Sequence, residues 1–123
     1  MLKEGLTYTS KLLVSSNHTA RILGSGDLEV VGTPALVALM ENAAMLAVAP
    51  YLPEEDTTVG GQIELSHLKP TRIGKEIDAT ATLVKIDRKK LFFEIVAHED
   101  NEIIGKANHI RFIVNREKFM NFQ

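Results

Sequence analysis

Three side chains in this sequence are of the right type and setting to do chemistry. Glu41 lies within PALVALMENAAMLAVAP, where nearly every neighbour is apolar. At helical spacing Val37, Glu41, Ala44 and Val48 share one face, so the carboxylate stands in a line of apolar side chains. Burying an unpaired carboxylate is costly, and such a group is paired, protonated or functional. Glu41 is therefore either a structural residue bonded to a neighbouring strand or partner chain, or a general base or nucleophile. His67 is the second. In an extended segment Val59, Gly61, Ile63, Leu65 and His67 share one parity, which points His67 to the side of Ile63 and Leu65. It is either a hydrogen-bonded core histidine or, near a buried Glu, an acid/base or orienting group. Thr33 is the third. It precedes Pro34 and an apolar run, which reads as a helix N-cap with proline at the first helical position. Free N–H groups at that helix start, with the positive end of the helix dipole, suit a developing oxyanion.

Other residues carry weaker signals. Gly60-Gly61 inside a strand marks a bulge or close packing, or else a close approach of ligand to backbone. Arg111 is a solvated charge or a phosphate contact. His18, His98 and His109 are scattered without metal-ligand spacing, and no P-loop, G-x-G-x-x-G or H-E-x-x-H is present, so neither metal nor cofactor is expected. The chain has no cysteine, which removes disulfides, thiolate catalysis and thiolate metal sites and agrees with a reducing, cytoplasmic setting. A net charge of −2 gives no attraction to nucleic acid or an anionic membrane. The start of the chain, MLKEGLTYTS, lacks the apolar core of a signal peptide. Glu41 and Asn42 interrupt the Pro34–Leu52 apolar stretch, so no membrane span is expected.

The elements that must position these residues follow from pattern. The 123 residues, 45% hydrophobic and 24% charged, make one domain over 1–123. Leu6–Val14 reads as a first strand. Ser15–Gly32 is an irregular connection. A helix runs from Thr33 to near Pro50, because the residue before a proline avoids helical geometry. Four strands are expected next, Thr57–Lys69, Glu76–Asp87, Leu91–His98 and Ile103–Asn115, with short loops implying an antiparallel meander. In Glu76–Asp87, Ile77, Ala79, Ala81 and Leu83 alternate with Asp78, Thr80 and Thr82. The helix is apolar nearly all round and so should be buried on most sides. A curved antiparallel sheet wrapped around one helix meets that demand: an α+β hotdog fold.

With these residues in place, the segment GTPALVALMENAAMLAVAPYLPEEDTTVGGQIELSHLKPTRIG resembles the fluoroacetyl-CoA-specific thioesterase-like branch of the hotdog superfamily. The resemblance continues through LFFEIVAHEDNEIIGKANHIRFIVNREKF. In that family a Thr opens the central helix, a Glu follows eight residues later and a His lies on the next strand. Those positions hold Thr33, Glu41 and His67 here. The family's strand glycine falls on Gly60, beside Gly61, and its late-strand arginine on Arg111.

The resemblance implies hydrolysis of a small acyl-CoA thioester to free acid and CoA. Glu41 would act as nucleophile or general base, His67 would orient the group and assist proton transfer, and Thr33 would hydrogen-bond within it. Gly60, Gly61 and Arg111 would contact substrate, with Arg111 on the CoA phosphates or pantetheine arm. Ile22–Gly32 would border the acyl pocket; it contains no aromatic residue. Eight residues of helix hold Thr33 and Glu41 roughly 12 Å apart, so they cannot touch within one helix. Either the pocket runs along the helix or two chains each contribute part of it, and a homodimer with two composite sites, or a tetramer, is expected. The rival readings are a non-catalytic acyl-CoA-binding hotdog module, a hydratase and a structural dimer.

Overall fold

The structure is a computed structural model and describes residues 1–122. In chain order its elements are β1 (Thr7–Leu13), α1 (Ala20–Leu23), α2 (Thr33–Val48), β2 (Asp56–His67), β3 (Glu76–Asp87), β4 (Lys90–Glu99), β5 (Glu102–Asn115) and α3 (Arg116–Met120). The alternation in β3 does what its pattern requires, since Ile77, Ala79, Ala81 and Leu83 are each no more than 1% exposed. In β4, Leu91, Phe93, Ile95 and Ala97 do the same. These rows form a floor on which α2 lies, burying Leu36, Leu39, Met40, Ala43, Ala44, Ala47 and Val48. Alanines on both sides let helix and sheet approach closely. The result is an antiparallel sheet with one long helix packed across it, the hotdog arrangement.

The sheet order is β1-β3-β4-β5-β2, which corrects the expected four-strand meander. Strands β3, β4 and β5 do form one, because their links are tight. Arg88 and Asp100 take left-handed backbone (φ 58° and 54°), as short hairpin turns demand. Strand β2 instead pairs with β5 at the far edge. Its link to β3, Leu68–Lys75, is long and contains Pro70, so nothing forces a hairpin. Val31 N–H donates to the Thr71 carbonyl and Val30 bridges Arg72, which ties this link to the chain entering α2.

Two further expectations need correction. Thr33 is not the cap of α2. Gly32 is, without a side-chain cap bond, and Thr33 is the first helical residue. The hydroxyl of Thr33 is thereby free for other work. The helix is also not buried on most sides by its own chain. Thr33, Pro34, Ala38 and Asn42 are exposed, and Val37, Glu41 and Met45 are only half-buried. By length and composition alone Thr33–Tyr51, at 19 residues and a mean hydropathy of 1.3, would pass for a membrane span. Here the stretch is a helix packed on β1 and β3.

Candidate active site

The first half of the site lies at the start of α2. His67, the last residue of β2, faces the helix, and its Nδ1 lies 2.8 Å from Thr33 Oγ1. Its Nε2 is buried and, among the described residues, has no hydrogen-bond partner. Burial lowers the His67 pKa below the ordinary 6.5, and a backbone group of Lys69 offsets part of this. The ring is therefore neutral near pH 7 and carries one proton. Beside the pair opens a cleft of about 290 Å³, lined by Ala20, Val30, Val31, Thr33, His67 and Lys69 among others. The lining contains no Phe, Tyr or Trp. At this helix start Gly32 N–H donates to the His18 carbonyl, Ala35 and Leu36 N–H to the Gly32 carbonyl, and proline has no N–H. Thr33 N–H is left without a backbone partner among the described residues.

The second half lies two turns along α2. Glu41 reaches over Gly60, so that a Cβ at Gly60 would stand 2.8 Å from Glu41 Oε2, 3.4 Å from His109 Cε1 and 3.5 Å from Arg111 Nη1. Only glycine leaves this space for the carboxylate. Arg111 is 6% exposed; its Nε–H donates to Thr58 Oγ1 at 2.8 Å and its Nη2–H to the Thr58 carbonyl at 3.0 Å. Burial lowers the Arg111 pKa, and the nearby charge of Glu41 offsets part of that. No hydrogen bond or ion pair to Glu41 is present among the described residues. Gly60→Ala should therefore push the end of a flexible side chain aside with little loss of stability. A displacement of that size is expected to lower kcat/KM about 10- to 100-fold while Tm changes by only a few degrees. Parallel kinetics and thermal melts check this.

A bulge explains how both halves face the helix. Gly60 pairs with Arg111 and Gln62 with Ile110, leaving Gly61 as the extra residue. The parity of β2 flips there. Thr58 and Gly60 face α2 before the bulge, and Ile63, Leu65 and His67 face it afterwards. Val59 and Gly61 therefore do not share a side with Ile63, as simple alternation implies. A Cβ at Gly61 would run into the Phe112 ring, so Gly61 makes room for Phe112 on the side away from Glu41. Arg111 is neither a solvated charge nor open to a phosphate; its guanidinium is buried against Thr58 and His109.

A family model described as fluoroacetyl-CoA-specific thioesterase matches residues 14–117. The chain belongs to that family. The fluoroacetyl-CoA thioesterase of Streptantibioticus cattleyicolor is 34% identical over 91 residues, which span 74% of this chain and 66% of that protein. A single-residue variant of the thioesterase FlK, solved with fluoroacetate and CoA, superimposes with a TM-score of 0.90 at 30% identity, covering 96% of this chain and 99% of that one. A thioesterase superfamily member from Thermus thermophilus, 22% identical, has the same fold with a TM-score of 0.89 over 98% of this chain and 89% of that one.

His109, which the sequence offers only as a histidine without metal-ligand spacing, belongs to the Glu41 cluster. It is 2% exposed and sits between Arg111 Nη1, at 3.1 Å, and the Gln62 carbonyl, at 2.7 Å. Burial is the main cause that lowers its pKa below 6.5; the Gln62 bond raises it, the Arg111 charge lowers it and the Glu41 charge raises it. The signal lay in His109-Ile110-Arg111, two polar residues sharing one face of a strand that otherwise buries Ile104 and Ala107.

Both depressed histidines link stability to pH. The unfolded chain binds protons as pH falls through about 6.5, while the folded chain resists until lower pH. Their contribution is complete above the unfolded value and is lost as pH falls below it. The urea midpoint should be lower at about pH 5.5 than at about pH 7.5, with a smaller drop in His109→Gln.

Proposed function

We propose that this protein is an acyl-CoA thioesterase that hydrolyses a small acyl-CoA to free acid and CoA, at two sites shared across a homodimer. One observation carries the reading. The Thr33–His67 pair, at 2.8 Å, presents a buried, unpartnered Nε2 beside an open cleft, in a chain whose relatives are named for fluoroacetyl-CoA hydrolysis. The apolar part of the cleft lining, Ala20, Val30, Val31, Leu68 and Pro70, is aliphatic and its volume is small, which favours a short acyl chain.

Two features support the shared site. Glu41 lies on the side of α2 that its own sheet leaves half-open, beside exposed Ala38 and Asn42. Strand β2, which carries Gly60 and His67, is an edge strand with unpaired backbone groups. A two-fold axis beside α2 runs two copies antiparallel and brings Thr33 and His67 of one protomer toward Glu41 of its partner. Within one chain the two halves are about 12 Å apart along the helix.

The chemistry then divides among these groups. Glu41 removes a proton from water as it attacks the thioester carbonyl carbon, or attacks that carbon itself and is released by water. With Thr33 Oγ1–H donating to Nδ1, His67 carries its proton on Nε2 and offers it to the departing sulfur. The unpaired Thr33 N–H, at the positive end of α2, stabilises the oxyanion. The C–S bond breaks, and one water is consumed for each acid and thiol released.

A panel of short, branched and aryl acyl-CoAs, assayed for free thiol, tests the reading. Turnover is expected with short acyl groups. Binding without turnover would instead favour the acyl-CoA-binding module, and a monomer at micromolar concentration would contradict the shared site.

A further inference from the structure

His109 stands outside the residues whose types first suggest chemistry, yet it occupies the centre of the Glu41 cluster. Its Nδ1 lies 2.7 Å from the Gln62 carbonyl oxygen. A carbonyl only accepts, so Nδ1 bears the proton. Its Nε2 lies 3.1 Å from Arg111 Nη1. A guanidinium nitrogen only donates, so Nε2 bears the lone pair. The two partners thus fix the ring as neutral imidazole in its Nδ1–H tautomer.

The position of these bonds matters. Gln62 follows the bulge directly, so His109 ties the bulge in β2 to the guanidinium of β5. Arg111 is held at three points: by His109 at Nη1 and by Thr58 at Nε and Nη2. Nη1, the nitrogen that His109 holds, is the one that borders the space over Gly60 where Glu41 Oε2 lies. Even so, no ion pair joins Arg111 to Glu41 among the described residues. An arginine free to move beside a carboxylate closes a bidentate pair. A carboxylate engaged in that way is blunted as base or nucleophile. The charged groups that face His109 are Arg111 from its own strand and Glu41 from α2; β4 offers Phe93, with ring centroids 6.2 Å apart, and β2 offers the Gln62 carbonyl.

We propose that His109 is a positioning residue that holds Arg111 back from Glu41, so that the cation's field reaches the carboxylate while both of its oxygens stay free to react. This rests on the thioesterase reading and adds to it a residue that acts through Arg111.

Three variants and one spectrum test it. His109→Phe keeps the packing against Phe93 and removes both hydrogen bonds. His109→Gln keeps a side-chain donor and acceptor. In His109→Phe, kcat for thiol release should fall about 10- to 100-fold with KM within about threefold, and His109→Gln should recover most of that loss. Nitrogen-15 spectra of the wild type near neutral pH should show His109 with its proton on Nδ1. Equal losses in the Gln and Phe variants, a change in KM alone, or a proton on Nε2 would each overturn the proposal. Should the Phe variant not fold, His109→Asn, whose shorter amide cannot span both partners, replaces it against His109→Gln with the same expectation. Absence of wild-type turnover would refute the thioesterase reading itself, and the tautomer spectrum would then decide alone whether His109 holds Arg111.

Discussion

Replacing Glu41 with glutamine is expected to lower kcat about 10²- to 10⁴-fold, the range for loss of a general base, while folding and pairing persist. Glutamine has the same shape and fits over Gly60 without disturbing it. Glu41 makes no hydrogen bond or ion pair among the described residues and is half-buried on the open side of α2. Its removal therefore forfeits little stability. This separates the two readings that its apolar setting permits. A structural glutamate would lose stability on substitution and leave chemistry nearly intact. A reactive one loses rate at constant Tm. Thiol-release kinetics together with thermal melts distinguish them, and a kcat within threefold of wild type would count against a reactive Glu41.

His67→Ala is expected to cost about 10²- to 10³-fold in kcat, and Thr33→Val about 10-fold. The difference follows from the geometry. In the proposed reaction Thr33 Oγ1 acts through His67 Nδ1, 2.8 Å away, and loss of the hydroxyl frees the ring without removing it. The backbone N–H of Thr33 survives either change. The double variant Thr33→Val/His67→Ala should be no slower than His67→Ala alone, because residues that act as one unit are not additive. Independent, multiplying losses would mean that the hydroxyl touches substrate directly.

The fold was legible where the signal is local. Alternation placed β3 with its observed bounds, and the apolar run starting at Thr33 located α2. Three features escaped because they depend on distant chain. The position of β2 beside β5 is set by pairing across the whole sheet, and no short turn encodes it. Gly60-Gly61 does suggest a bulge in the sequence, but the reversal of the β2 parity that the extra residue Gly61 brings is something a count of alternating residues cannot detect. Gly32 takes the cap because its backbone fits there, which frees the Thr33 hydroxyl for His67. The same holds for the site. Glu41, His67 and Thr33 stood out by residue type in an apolar setting. His109 did not, since one of its partners, the Gln62 carbonyl, lies 47 residues away in the chain and carries no side-chain signature.

In the proposed dimer Thr33 and His67 of one protomer work with Glu41 of its partner. Mixing two inactive homodimers tests it most directly. Glu41→Gln and His67→Ala chains are unfolded together, refolded and assayed for thiol release. Random pairing makes about half of the dimers mixed, each with one intact composite site, so about a quarter of wild-type activity should return. If mixing restores no activity although mixed dimers form, each site is built within a single chain and the shared-site account is wrong.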